Sequence, residues 1–366
     1  MNILHLATHT DLGGVTSYIA TLSKALLHRG HRSSVVSSGG NAWASLARSG
    51  MVCYDYLPRT KSELNPLVWA SLPRTVGLVK QEKFDVLHAH SRVTQVYAFF
   101  VSMLTGVPFV STAHGFYTPR LGRRLFPAWG SRVVAISALV AESLEKEHHV
   151  PEQKIRVVHN AIDIDAFTRR LGQQDRNGMR ARYGIPKDAF VVGSLSKLVK
   201  DKGHEYLVEA VSRLLKDDPK IFLLIVGDGR EWEALKRRIE RTLPQNASLI
   251  PGVQDTTAVL KMMDVFAHPA TWREGFGLSL AEAMVADLPA IATDIPAINT
   301  LLKDRDNGRV VAPKDPEALA GAIKELRANP AERQRLAARG HETAASICRP
   351  ERLAEEMEKV YLEVVR

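Results

Sequence analysis

Two glutamates, Glu274 and Glu282, lie eight residues apart in TWREGFGLSLAEAM, with Gly275 and Gly277 between them. The preceding DVFAHPA reads as a strand, and the residues from about Leu278 onward read as a helix. Such a turn leaves the first helical N–H groups directed into the loop, where glycines let backbone approach an anion closely. The dipole contribution is only about 0.3–1 kcal/mol at an exposed site, so cations must add to it. Lys197 and Lys202, in SLSKLVKDKG, are placed to supply them. Glu282, inside the helix, suits ligand hydroxyls as an acidic residue does for ribose, and Glu274, in the loop, suits a second polyol. Together they suggest a nucleotide joined to a sugar. The competing reading is a surface loop glutamate and a solvent-facing helix glutamate.

The elements that must hold these residues follow from the hydrophobic rhythm. In the first half, the short apolar runs ILHLA, SSVVSS, DVLHAH, PFVSTAHG, RVVAIS and KIRVVHN alternate with amphipathic stretches of helical length. That is strand and crossover helix, hence a parallel sheet covered on both faces. The segment 164–188 is polar, basic and poor in strand residues, as a linker would be. The rhythm restarts with AFVVGSLS, IFLLIVGDG, SLIPG, DVFAHPA, PAIATD and GRVVAP, and the chain then closes on helical segments separated by Pro330 and Pro350.

The expected fold class is therefore α/β, with two doubly wound Rossmann-like domains facing each other across a cleft that holds the active site. The expected division is 1–168 for the first domain, completed by the C-terminal helix 350–366, then a linker 169–188 and a second domain 189–349.

Composition narrows the function classes. The 366 residues are 45% hydrophobic and 24% charged, as in globular proteins. The start MNILHLATHT reads as a first strand rather than a signal peptide, and VYAFFVSMLTGVPFV (96–110) is too short for a bilayer span and reads as a buried helix followed by a strand. Cys53 and Cys348 match no metal or redox spacing. A cytoplasmic location is expected. Residues 1–190 carry 23 Lys and Arg against 13 Asp and Glu, which points that half toward an anionic partner. No zinc spacing, recognition-helix pattern or strand-borne aromatic pair supports nucleic acid. The segment PRLGRRLFPAW (119–129) mixes arginines with large apolar residues, which suits an anionic membrane surface or a lipid-linked phosphorylated glycan. Peripheral association at the inner face of a membrane follows as an expectation.

Several motifs together resemble the retaining glycosyltransferases of family four (glycosyl transferases group 1), which have the GT-B fold. They are the E-x7-E of EGFGLSLAE, the Lys-Gly of KDKG, HNAID at 159–163, the LGG of TDLGGVTSY, and IATDIPAI followed by NGRVVAP. The resemblance runs essentially end to end. It implies a hexosyltransferase that is metal-independent and uses no cofactor, the nucleotide-sugar, with a UDP-sugar favoured, being a substrate. The other substrate is a glycan or lipid-linked acceptor in polysaccharide or lipopolysaccharide assembly.

Carried onto this sequence, the resemblance places Gly13 and Gly14 against the donor diphosphate, Lys202 and Lys197 on it, Glu282 on the ribose and Glu274 near the donor sugar. Backbone groups of Phe276, Gly277 and Leu278 meet phosphate and sugar, Gly252 and Val253 receive the base, and His114 in STAHGF lies close to the reacting sugar. Lys197 stands where the family usually has arginine, which removes a planar fork for phosphate. Asp287 and Pro296-Ala297 replace common glycines in loops that border the donor pocket.

Two patterns look like metal sites and are read otherwise. Asp163 and Asp165 form D-x-D, and His88 and His90 form H-x-H, but neither has a third ligand at a plausible sequence spacing. Two other functions share the fold: a sugar-nucleotide epimerase and a non-catalytic nucleotide-sugar binding protein. A dinucleotide oxidoreductase is disfavoured, because GGVTSY lacks Gly-x-Gly-x-x-Gly.

Overall fold

The computed structural model describes residues 1–11 and 13–365 and divides the chain into two compact units. The first comprises Met1–Ile162 with Cys348–Arg366, and the second Asp163–Ile347.

The first unit is built on a seven-stranded parallel sheet of β1 (Asn2–Leu6), β2 (Arg32–Val36), β3 (Val52–Tyr54), β4 (Val86–Ala89), β5 (Phe109–Ala113), β6 (Arg132–Ala135) and β7 (Ile155–Val157), in the order β3-β2-β1-β4-β5-β6-β7. Alternate residues of a strand face opposite sides. Ile3, Val35, Val86, Val110 and Val134 therefore pack on one face against Ile19, Leu22 and Leu26 of the helix Gly14–His28. Leu4, Leu6, Leu87 and Phe109 pack on the other against Val93, Tyr97 and Val101 of the helix Arg92–Thr105. The apolar run at 96–110 is thus a buried helix leading into a strand. Only the three-residue edge strand β3 has no counterpart in the sequence reading.

The C-terminal helix Pro350–Val365 completes the first of these cores with Leu353, Met357, Val360 and Tyr361. Its outer face is pinned by Glu358, paired with Arg29 and with His31 at 2.9 Å, and by Glu363, paired with Arg132 at 2.6 Å and Arg156 at 2.7 Å. This helix brings acidic residues with it. The first unit carries 21 Lys and Arg against 14 Asp and Glu, a milder excess than the sequence divided at residue 190 displays.

The second unit holds a six-stranded parallel sheet of β8 (Phe190–Leu195), β9 (Ile221–Val226), β10 (Ala247–Ile250), β11 (Val265–His268), β12 (Ala290–Thr293) and β13 (Arg309–Val311), in the order β10-β9-β8-β11-β12-β13. Every residue of β8 and β9 is buried, as expected of parallel strands covered on both faces.

The segment 169–188 is not a free linker. It is largely helical, over Ile164–Gly172 and Arg176–Arg182, and packs within the second unit. The buried Arg180 donates to the Met262 carbonyl at 2.7 Å, the Ala189 carbonyl at 3.0 Å and Asp264 at 2.8 Å. Arg176 pairs with the other oxygen of Asp264 at 2.6 Å. Charges that read as solvated in sequence thus tie the entry of β8 to the entry of β11.

Candidate active site

In the second sheet the chain winds outward from β8 through β9 and β10, then returns to begin β11 on the other side of β8. Loops leaving the carboxyl ends of β8 and β11 consequently diverge, which opens the crevice where doubly wound sheets take ligands. Both candidate loops of the sequence lie there.

After β8 the chain passes Lys197 and enters a single 3-10 turn, Lys200–Lys202, closed by Gly203. Gly203 has φ of 63°, and a Cβ there would fall 2.0 Å from the Pro269 carbonyl oxygen. Only glycine lets this turn lie against the chain leaving β11. The Thr271 N–H donates to the Asp201 carbonyl at 2.8 Å and ties the same two loops together.

This tie brings Lys202 to Glu274. The Lys202 ammonium pairs with Oε2 of Glu274, the same oxygen lies 3.0 Å from His268 Nε2, and Oε1 accepts the Gly275 N–H at 2.9 Å. Burial by itself pushes the Glu274 carboxyl up. The hydrogen bond and charge of His268 and the charge of Lys202 outweigh it, and the group is held well below the usual carboxylate range. Behind the pair, burial, then the charges of His268 and Lys202, lower His204 to about 3. Its neutral ring meets Ser196 Oγ at 3.0 Å.

The helix Leu278–Val285 begins where the sequence reading puts it. Gly277, at φ 82°, is its N-cap; no side chain caps the helix and no acidic residue occupies its first turn, so those N–H groups are not claimed by a cap. Phe276 is buried beside it. Glu282, one turn along, is half-buried and faces Thr256, Arg170 and Asp255. Burial raises its carboxyl to about 7, against a hydrogen bond from Thr256 and the Arg170 charge and with the help of Asp255.

In the loop after β10, Gly252 donates its N–H to Asp228 at 3.1 Å and Val253 is half-buried. Lys197 is exposed and has no ion-pair partner among the described residues. The structure thus joins Lys202 and Glu274 directly. Lys197, Glu282, Gly252 and Val253 lie elsewhere in the second unit, Gly252 and Val253 beyond the edge strand β10, and make no hydrogen bond or ion pair to that pair.

In the first unit, Gly13 is the N-cap of the helix Gly14–His28, and a Cβ at Gly13 or Gly14 would meet nothing within 4 Å among the described residues beyond its own neighbours in the chain. Among the described residues nothing demands glycine at either position. Leu12, of the LGG motif, lies outside the described residues. His114 follows β5, with its Nε2 3.1 Å from His90 Nδ1.

Two expectations about metal patterns are refined. Asp163 caps the helix Ile164–Gly172, accepting from the Ala166 N–H at 3.3 Å, and Asp165 lies in its first turn, so the D-x-D serves a helix terminus. The H-x-H pair does gain a third histidine. Parallel pairing sets His5 of β1 opposite His88 of β4, and ring nitrogens of His5, His88 and His90 lie within 4.8 Å of one another. Sequence spacing missed it because strands β1 and β4 meet only through the fold. Five of their six ring nitrogens are engaged in hydrogen bonds, His90 with His5 and His114 and His88 with Tyr361 and Thr112; His5 Nε2 has no partner among the described residues. His268 was likewise missed. Its signal was its place at the end of DVFAHPA, the strand that feeds the glutamate loop.

Two families match in tandem: "Glycosyltransferase Family 4" over residues 12–166 and "Glycosyl transferases group 1" over 175–343. The chain is 29% identical over 269 residues to the UDP-Gal:alpha-D-GlcNAc-diphosphoundecaprenol alpha-1,3-galactosyltransferase of Escherichia coli, covering 69% of each. It is 34% identical over 193 residues to the lipopolysaccharide core biosynthesis glycosyltransferase LpsE of Rhizobium meliloti, covering 52% of this chain and 53% of that one. Its fold matches that of Anabaena HepE in complex with UDP and glucose, with a TM-score of 0.80 at 20% identity over 99% of this chain and 100% of that one. The parallel sheets, the tandem matches and the glutamate loop agree: the chain belongs to the family-four glycosyltransferases and has the GT-B fold.

Proposed function

We propose that this glycosyltransferase moves a hexosyl group from a UDP-sugar to a glycan or lipid-linked acceptor in cell-surface polysaccharide or lipopolysaccharide assembly, with retention of configuration and without a metal. The observation that carries this reading is the Lys202–Glu274–His268 group beside the uncapped start of Leu278–Val285. A lysine and free helix N–H groups suit a diphosphate, and a fixed carboxylate beside them suits sugar hydroxyls. The uracil base is supported by the E. coli relative, whose name specifies UDP-Gal, and by the UDP complex of HepE.

In this reading the C1–O bond to the β-phosphate breaks as Lys202, Lys197 and the helix N–H groups take up the negative charge that develops on the leaving diphosphate. The acceptor oxygen bonds to C1 on the same face, and its proton passes to the departing phosphate oxygen. Both oxygens of Glu274 are already engaged, by Lys202 and His268 on one side and Gly275 on the other, which suits an anchoring role better than a nucleophilic one.

The acceptor's lipid character is read from the first unit. On the short helix Leu121–Leu125, Leu121 and Leu125 are 70% and 74% exposed and share a face, flanked by the exposed Arg120 and Arg124. Arg123 and Trp129, by contrast, are buried. Arg123 stacks on Tyr117 and Trp129 and donates to Gln95 at 3.1 Å, so only part of 119–129 is available to a surface. Among the described residues no helix is long and apolar enough to cross a membrane.

The deciding experiment incubates the protein with a panel of UDP-, GDP- and ADP-sugars, with and without undecaprenol-diphosphate-linked sugars, in the presence of EDTA. Acceptor-dependent release of UDP, with an α-anomer formed from an α-donor, is the expected result. An isomerised donor without acceptor would make it an epimerase, and donor binding without turnover would make it a binding protein.

A further inference from the structure

His5, His90 and His114 form a continuous chain of imidazoles in the first unit. His5 Nδ1 is 3.0 Å from His90 Nε2, and His90 Nδ1 is 3.1 Å from His114 Nε2. His88 stands beside it with both nitrogens on hydroxyls, Tyr361 at 2.8 Å and Thr112 at 2.7 Å. The three strands that supply these rings are adjacent, β1 to β4 to β5, at the point where the winding of the first sheet reverses. His5 and His88 are fully buried, His90 nearly so, and His114 is the partly exposed end.

The rings are neutral. Burial lowers His5 and His114 to about 3 each, and burial followed by the neighbouring histidines carries His88 and His90 well below their ordinary value. A neutral imidazole has one N–H and one lone pair. Each nitrogen–nitrogen contact needs one of each, so His90 must donate through one nitrogen and accept through the other. The chain can then run in only two senses.

The far end decides between them. His5 Nε2 is buried and has no hydrogen-bond partner among the described residues. If the chain ran from His114 toward His5, that atom would be a buried N–H with nothing to accept it. If it runs from His5 toward His114, the atom is a lone pair, the cheaper group to leave unmatched in a protein interior. The second sense has His5 Nδ1–H donating to His90 and His90 Nδ1–H donating to His114 Nε2. The remaining proton of His114 is then on Nδ1, which makes no hydrogen bond within the described residues.

We propose that His5 and His90 are positioning residues that hold His114 as its Nδ1–H tautomer, so that the open end of the chain offers a hydrogen-bond donor to a substrate oxygen and takes no proton from it. The tautomer rests on this geometry alone. The substrate oxygen rests on the proposed glycosyltransferase reaction, in which the acceptor's proton already has a destination on the leaving phosphate.

The test uses the full-length protein labelled with 15N-histidine, whose two-bond proton–nitrogen correlations at pH 7.5 identify the protonated nitrogen of each ring; His114 is assigned by its loss in His114→Gln. The expected result is a protonated Nδ1 on His114. His5→Asn, whose amide can donate from the place of Nδ1, retains that tautomer. His5→Leu gives a mixture and lowers kcat roughly three- to tenfold, the worth of one hydrogen bond, with the donor KM little changed. A wild-type His114 protonated at Nε2 overturns the proposal. So does one equivalent of zinc by mass spectrometry, since a metal held by His5, His88 and His90 would displace the protons that define the chain. If His5→Leu does not fold, the wild-type and His5→Asn spectra still decide. The expected tautomer in a protein that turns over no sugar nucleotide would leave this inference standing and remove the reaction proposed above.

Discussion

Lys202 and Glu274, 72 residues apart, form an ion pair with 19% and 12% of their side chains exposed. The lysine proposed for the donor diphosphate is therefore paired with a carboxylate, and a diphosphate must compete with that carboxylate for it. Lys202→Ala should lower kcat by about 10²- to 10³-fold, the usual cost of removing a preorganised group that faces developing charge. Glu274→Gln should lower turnover too, yet tighten binding of free UDP roughly two- to fivefold by releasing the lysine from a partly exposed pair. Calorimetry with UDP that shows weaker binding in Glu274→Gln would mean that the carboxylate organises the lysine instead of competing for it.

The same carboxylate makes the second unit sensitive to acid. Its folded pKa lies below the ordinary value of 4.5, so the native state binds fewer protons than the unfolded chain as the pH falls through that window. Stability present above about pH 4.5 is lost below it. Thermal melts of wild type and Glu274→Gln between pH 7 and pH 3.5 should converge toward the acid end; parallel curves would remove Glu274 as the cause.

Glu282 titrates near neutrality. With its pKa raised to about 7, it is half protonated near pH 7, and the carboxylate, acceptor-only and charged, is the stronger partner for the two ribose hydroxyls proposed to meet it. UDP affinity should fall as the pH drops below 7, by roughly tenfold per unit at the limit. Glu282→Gln should bind more weakly at pH 8 and show a flatter profile, any remaining slope belonging to the diphosphate itself. Calorimetry from pH 8.5 to pH 5.5 with equal slopes in both proteins would take Glu282 out of the ribose contact.

What the sequence discloses here is governed by distance along the chain. The strands of both sheets other than the edge strand β3, and the start of the helix at Leu278, were legible because period and turn chemistry are local. Lys202 and Glu274 were legible as types and places, but not as a pair, since their contact depends on β8 and β11 being neighbours. His5 stayed hidden as a partner of His90 for the same reason, because strand pairing sets it. The linker was misread because composition does not say where an arginine's donors go. In Arg180 they go to carbonyls, which leaves a basic segment tightly bound.

That misreading yields a stability prediction. Arg180→Ala would leave the Met262 and Ala189 carbonyls without their partner, although Asp264 keeps Arg176. A loss of about 1–3 kcal/mol is expected, the cost of stranding buried acceptors. Lysine should not restore it, since a single ammonium cannot span the directions that the guanidinium reaches. Denaturant titration of Arg180→Ala and Arg180→Lys checks both statements, and a variant as stable as wild type would return 169–188 to the status of a linker.

The exposed leucines of the first unit carry the last prediction. Leu121 and Leu125 expose apolar surface between Arg120 and Arg124, so insertion of the leucines and attraction of the arginines to anionic headgroups act in the same direction. Each arginine near an anionic surface contributes about 1 kcal/mol, which salt screens, while the leucine contribution is insensitive to salt. Vesicles rich in phosphatidylglycerol should therefore pellet the wild type, with partial release at high salt. A Leu121→Ser/Leu125→Ser variant should bind weakly and release fully at high salt. Arg123→Ala should behave differently from both, because Arg123 is buried between Tyr117 and Trp129 and its loss destabilises the segment. If neutral vesicles retain the wild type as well as anionic ones do, the arginines have no part in it; if neither kind does, the leucines face a protein partner.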